Sequence, residues 1–380
     1  MPRHAPLTVV LREWARIGAT SFGGPPAQIA LLRELMVDRR QWMDAREFED
    51  ANAATQLLPG PGGTQLAIYC ALRAGGRAGA VAGGLAFILP GLLVILAISA
   101  VALSDSPPLW IRAVGAGAAA AVVAVVVQAG LQLGWSSLEG RRGGPLWRAV
   151  AYLVAGAAAT VLTGPGVVLV LVACGLIELG WQRRRAAGAA TRSPAMVVLA
   201  ATGVAALPAL AWTALKVGAL SYGGGFVIIP LMQADAVETY GWMTDAQFAN
   251  AVAYGQLTPG PVVHTVAFVG WAAAGLGGAL MAAAIAFAPS FIVVGVIGER
   301  FARLRESATA RWFLDGAGPA AVGAILGASV PLVRALEEGW QWAVLAAAAA
   351  ALALGRAAFW ALVGGAIAGV AAMLAGASVP

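Results

Sequence analysis

Two Pro-Gly-Pro triplets stand two hundred positions apart in this chain, Pro59-Gly60-Pro61 and Pro259-Gly260-Pro261. Gln56-Leu57 and Gln256-Leu257 precede them, and hydroxyl, amide or imidazole side chains follow: Thr64 and Gln65 in one case, His264 and Thr265 in the other. Proline removes a backbone donor and glycine admits turns closed to other residues, so each triplet should break a helix. The arm that restarts after a break presents unpaired N–H groups and roughly +0.5 charge, and glycine lets an oxyanion approach them closely. An earlier pair of breaks is expected at Ser21-Phe22-Gly23-Gly24-Pro25-Pro26 and at Ser221-Tyr222-Gly223-Gly224-Gly225. Several such ends converging would hold a small dianion, with the side chains after each break replacing its hydration.

Cations at these arms matter for the same chemistry. Arg16 matches Lys216, each five residues before the repeated serine, and Lys216 is the sole lysine of the chain. A lysine among apolar residues costs roughly 2.5–3.5 kcal/mol at bilayer depth, so it either faces a cavity or partner or snorkels to the interface. The same two readings stand for Arg16. Gln56 and Gln256 either coordinate a substrate or bond carbonyls freed by the break. His264, one of two histidines, either contacts a ligand, relays a proton, or packs.

The elements that must carry these groups are membrane helices. Of 380 residues 60% are hydrophobic and 11% charged, and mean hydropathy is +0.81. Apolar runs at 78–103 and 109–133 exceed the ~20 residues that cross a bilayer. A net charge of +6 could suggest nucleic acid, but the arginines sit in short clusters between apolar runs, as the positive-inside rule expects. Cys70 and Cys174 lie in apolar segments without metal-ligand spacing and read as packing residues. No metal or other cofactor is expected. The opening MPRHAPLTVVLREW lacks a cleavable signal's apolar core, so the chain is expected to keep its N-terminus.

A tandem duplication organises the chain. Gly18, Ser21, Gly23, Gly24, Trp42, Met43, Phe48 and the Gln-Leu-x-Pro-Gly-Pro motif recur at Gly218, Ser221, Gly223, Gly224, Trp242, Met243, Phe248 and Gln256 to Pro261. After a one-residue slip, Pro90 meets Pro289. The expected units are a first repeat at 1–181, a basic cytoplasmic linker at 182–194 and a second repeat at 195–380. The segment from 45 to 58 is too short to span, so the breaks read as re-entrant half-helices, whose irregular backbone must be covered by protein or line a cavity.

Arginines 33, 39, 40, 73, 77, 141, 142, 148, 183, 184, 185 and 192 mark cytoplasmic ends in the first half, whereas the matching second-half loop carries Asp235 and Glu238 and the next carries arginines 300, 303, 305 and 311. The flipped signs predict inverted repeats, with an extra crossing at 196–212, about nine full spans and a cytoplasmic N-terminus. The expected fold is therefore an all-α polytopic membrane protein of two inverted-topology repeats, each with two broken-helix hairpins followed by full transmembrane helices.

Other motifs read structurally. Asp44 with Glu47 and Thr244 with Gln247 form capping boxes. Trp42 and Trp242 suit interfacial anchors. Gly79-x-x-x-Gly83 and Gly365-x-x-x-Gly369 are helix-packing seams, and on a free face would serve a homodimer.

Ser21-Phe22-Gly23-Gly24-Pro25, Trp42, Gln56-Leu57-Leu58-Pro59-Gly60-Pro61 and Phe87-x-x-Pro90 together resemble the first half of the chromate ion transporter family. Tyr222-Gly223-Gly224-Gly225, Ile229-Pro230-Leu231 and Gln256-Leu257-Thr258-Pro259-Gly260-Pro261 are similar to its second half. Where that family often shows Pro-x-Ala-His, this chain reads Pro26-Ala27-Gln28. The resemblance implies a secondary transporter in the plasma membrane, the bacterial inner membrane, that exports chromate by alternating access. Sulfate, a similar tetrahedral dianion, is the expected competitor, and another small oxyanion is the alternative. An intramembrane enzyme acting on phosphorylated lipid would need a general base or metal site that the sequence does not offer. A non-transporting scaffold would leave the broken helices unexplained.

Overall fold

A computed structural model of the chain describes residues 5–55, 58, 60–139, 145–163, 166–187, 206–221, 226–298 and 308–380. Regular structure among these residues is helical throughout. The first half opens with α1 (Leu7–Thr20) and α2 (Pro25–Arg33), which runs into a π-helical turn at Glu34–Arg39. It continues with α3 (Ala45–Thr55), α4 (Gly62–Ala102), α5 (Leu109–Glu139), α6 (Leu146–Thr163) and α7 (Val167–Ala187). The second half repeats the order: α8 (Ala206–Leu220), α9 (Ile228–Gln233) with a π-helical turn at Ala234–Thr239, and α10 (Asp245–Leu257). A 3-10 turn at Val262–His264 then leads into α11 (Thr265–Ile297), followed by α12 (Ala308–Arg334), α13 (Gly339–Ala353) and α14 (Ala358–Leu374).

Glycine decides the shape of the two central hairpins. Helix α4 folds back at Gly76 (φ 65°, ψ −160°) and α11 at Gly275 (φ 63°, ψ −156°), a backbone region closed to residues with a Cβ. The first arm of α4, residues 62–74, is about 20 Å long at 1.5 Å per residue, short of a hydrocarbon core of about 30 Å. It is too short to cross alone and turns back against the second arm. The arms lie close, since a Cβ on Gly79 would meet the Ala71 carbonyl and one on Gly278 the Gly270 carbonyl. The second arms contain Pro90 and Pro289 and turn large apolar side chains outward, among them Leu85, Leu89, Leu93, Ile292 and Val296, as lipid-facing surface requires.

The halves are interlocked. Helices α4 and α11 meet at the centre, with α1 on α4 and α8 on α11. Helix α5 packs against α13 and α14 of the other half, and α12 packs against α6 and α7. Small residues permit this closeness: Gly117 faces Gly365 and Gly369, Gly156 faces the Ala320 carbonyl and Gly323 that of Leu153. The Gly365/Gly369 and Gly79/Gly83 seams are thus filled within the chain and do not provide a dimer face.

Several expectations change. Among the described residues, four helices are long and apolar enough to cross a membrane: Gly62–Ala102, Leu109–Trp135, Val262–Val296 and Arg311–Arg334. Other apolar stretches among the described residues form shorter helices, and 339–374, for example, is divided at Gly355 (φ 78°) into α13 and α14. The extra crossing at 196–212 has only 206–212 described, and these residues open α8, the counterpart of α1. Most of the linker, 188–194, lies outside the described residues, as do arginines 141, 142, 192, 300, 303 and 305.

Other arginines are paired with carboxylates. Arg33 meets Asp38 and Glu49, Arg73 meets Glu47, and Arg148 is buried against Glu178, which also accepts from Tyr152 and Gln182. The Thr244 capping box is complete. Asp44 caps the Glu47 N–H at 2.7 Å, but the Glu47 carboxylate turns to Arg73. Trp42 stacks on Trp14 at 6.4 Å and Trp242 on Tyr240 at 4.8 Å.

Candidate functional site

Both Pro-Gly-Pro breaks are carried at positive φ, Gly60 at 114° and Gly260 at 89°, and each rests on the first hairpin of the opposite half. A Cβ on Gly60 would lie 3.2 Å from the Gly218 carbonyl, and one on Gly260 3.4 Å from that of Gly18. Gly260 is gripped on both sides: its N–H donates to the Ser21 carbonyl at 3.1 Å, and its own carbonyl accepts from Gln28 Nε2 at 2.8 Å. The Gln28 amide oxygen lies 2.4 Å from the place a Cβ on Gly63 would take, so this one side chain touches both breaks.

Sequence reasoning missed Gln28 as a site residue. The available signal was a lone amide in the otherwise apolar face of α2.

Three helix starts meet here without side-chain caps. Gly24 precedes α2, Pro61 precedes α4 and Pro261 precedes the 3-10 turn into α11. A cavity of about 20 Å³ lies between them, lined by Pro25 and Gln28, by residues 61–64 and by residues 261–263. It is shared by the two halves and framed by orphan N–H groups and their positive dipole ends. Around the breaks, Ser21 Oγ, Thr64 Oγ1, Ser221 Oγ, Gln256 Nε2, Ser290 Oγ and both ring nitrogens of His264 are buried without a hydrogen-bond partner. Buried polar atoms are rarely left so. Thr265 differs, since its hydroxyl donates to the Val262 carbonyl at 2.8 Å. Gln65 is fully buried with its amide against Gly60. Gly23 (φ 94°) and Gly24 (φ 75°) form the first front break. Gln56, Gly223 and Gly224 lie outside the described residues.

The cations are arranged otherwise than as open anion ligands. Lys216 is buried, its Nζ 2.5 Å from Asp235 Oδ2 and 5.8 Å from the centre of the Trp212 ring, while Thr213 Oγ1 donates to the same carboxylate oxygen at 2.5 Å. Asp235 is thus a buried counter-ion, where the sequence suggested a loop charge. Arg16, half-exposed, reaches Glu13 at 3.2 Å, and Arg39 and Arg40 reach the same carboxylate at 3.6 and 2.8 Å. Glu13 aligns with Thr213 and Asp235 with Leu35, so the acid sits on the first arm in one half and on the second arm in the other.

Such a site offers main-chain and side-chain donors to an anion. A cavity of about 20 Å³ takes roughly one water molecule, so the hairpins must part to admit anything larger.

The sequence profile of the family described as Chromate transporter matches residues 8–179 and 208–370. A chromate transport protein of Cupriavidus metallidurans is 33% identical over 367 residues, covering 92% of this chain and 90% of the relative. A probable chromate transport protein of Synechococcus elongatus is 30% identical over 338 residues, 86% and 85% of the two chains. A chromate transport protein of Pseudomonas aeruginosa is 31% identical over 352 residues, 86% and 81%. No solved structure matches.

Proposed function

Because this chain belongs to the chromate transporter family, we propose that it is a secondary transporter that exports chromate across the bacterial plasma membrane by alternating access, with sulfate as a competing substrate. The observation that carries this reading is the junction of three uncapped helix starts at one cavity shared by both halves, with the unpartnered hydroxyl of Thr64 in its wall. Helix starts at broken hairpins are suited to tetrahedral oxyanions. In this reading the anion is held by the N–H groups after Gly24, Gly60 and Gly260, by the hydroxyls of Ser21, Thr64 and Ser221, and by Gln28, Gln65, Gln256 and His264. Gln56, Gly223, Gly224 and Thr265 complete the two fronts.

Lys216 and Arg16 contribute field and fix the hairpin bases through their carboxylate partners. Residues 1–181 and 195–380 are the two repeats, placed in inverted orientation with the N-terminus cytoplasmic. Interlocked packing of α5 and α12 supports a two-fold design, and the narrow cavity supports a cycle in which hairpins move. Expelling a dianion from a cell negative inside is favoured by ~2.3 kcal/mol per charge per 100 mV, so the potential alone is a sufficient driving force.

The deciding experiment is uptake of labelled chromate into inside-out vesicles containing the purified protein, with an imposed potential and excess sulfate. Saturable, potential-dependent uptake depressed by sulfate is expected. Absence of uptake under a potential or a proton gradient would overturn the reading. Gly260→Leu should abolish uptake, because its side chain would enter the crossing beside Gly18 and His264, whereas Gly277→Leu, with open space around it, should retain most of it.

A further inference from the structure

His264 is fully buried, and neither ring nitrogen has a hydrogen-bond partner; the main chain of Ile88 lies beside the ring without completing one. Two orphan nitrogens on one buried ring are an anomaly, because buried polar atoms are nearly always paired and costly when they are not. The ring occupies space that Gly91 leaves open: a Cβ there would lie 2.5 Å from Cε1 and 2.7 Å from Nδ1, besides striking the Pro259 carbonyl. On its other side the ring meets Phe287 edge-on at 5.4 Å, and Cε1 would be 3.2 Å from a Cβ on Gly260. The imidazole therefore sits on the glycine of the second break.

The duplication makes this arrangement informative. Position 264 matches Thr64, and Gly91, just after Pro90, matches Ser290, just after Pro289. One of these matched sets thus sets a large ring against a missing side chain, and the other has a small hydroxyl residue at each position. Thr64 Oγ1 and Ser290 Oγ are also buried without partners.

We propose that the anion site consists of two chemically unequal half-sites, in one of which His264 opposite Gly91 gives a ring N–H to the tetrahedral oxyanion, while Thr64 and Ser290 give hydroxyls in the other. The proposal rests on the oxyanion-transport reading and adds to it the residue that breaks the site's symmetry. An oxyanion handed between the halves exchanges an imidazole donor for hydroxyl donors, so the two faces of the cycle need not bind it equally.

The chain has two histidines, His4 and His264, which makes the test direct. Full-length protein with 15N-labelled histidine is titrated with chromate, and the His264 ring signals are assigned by their loss in His264→Gln. Expected are a saturable shift of those signals, binding close to wild type in His264→Gln, which keeps an N–H donor, and about tenfold weaker binding in His264→Leu, the usual effect of one lost hydrogen bond. Thr64→Val with Ser290→Ala should weaken binding yet leave the His264 shift in place. Should the leucine variant not fold, the wild-type titration and the glutamine variant still decide the matter. Chromate binding with an unmoved His264 signal, or undiminished binding in His264→Leu, would overturn the proposal and leave the transport function standing. Failure of the wild-type protein both to bind and to take up chromate would remove the oxyanion reading, and this inference with it.

Discussion

Lys216 and Asp235 define what a cation in this site is for. The ammonium is held by a carboxylate that is itself buried, with side-chain exposures of 9% and 3%. Removing one member of such a pair leaves an uncompensated charge, which typically costs about 3–5 kcal/mol, whereas replacing both by apolar groups is often neutral. Lys216→Met should therefore lower the unfolding temperature and yield, and adding Asp235→Leu should restore both. Thermal unfolding in detergent reads the stability, and chromate binding by the double variant separates the roles. A stable double variant that binds chromate makes the pair structural; a stable one that does not bind makes Lys216 a ligand. At Glu13, with three arginines around it, a neutral Glu13→Gln should release their mutual repulsion and loosen the first hairpin.

At the scale of elements, backbone conformation offers the cleanest predictions, because glycine's role is local. Gly275 has φ 63° and ψ −156°, yet a Cβ there would touch nothing within 4 Å. Gly275→Ala should thus destabilise through conformation alone, by about 1–3 kcal/mol, while Gly277→Ala should be neutral or slightly stabilising. Unfolding temperatures of the two variants check this, and equal effects would contradict the hairpin turn. Gln41 (φ 52°) sits where its repeat partner Gly241 has φ 60°. Gln41→Gly should raise stability by about 1 kcal/mol, since the left-handed region is costly for residues with a side chain.

For the whole molecule, the exchange of α5 and α12 between halves means that neither repeat encloses its own core. Residues 1–181 and 195–380 expressed separately should be degraded or aggregate, and co-expressed they should co-purify and bind chromate. A half that is monodisperse and folded by itself would refute the interlock. The buried Arg148–Glu178 pair anchors this exchange on one side, because Glu178 lies against Gly316 of α12.

The sequence by itself determined the solvent, the duplication and the places where helices break. Apolar runs longer than a bilayer is thick, and proline and glycine at fixed positions, act through local backbone rules that need no distant partner. That is why Gly60, Gly260, the restarts after them and the family resemblance were all legible. The tertiary structure alone decided which polar groups are spent and which are spare. Asp235 reads as a loop charge until α8 brings Lys216 to it, Gln28 reads as an incidental amide until Gly260, far along the chain, arrives at 2.8 Å, and the arginines read as topology marks until their carboxylates appear. Hydrogen bonds and ion pairs are satisfied in space, and a linear pattern records the donors and acceptors without recording which of them meet.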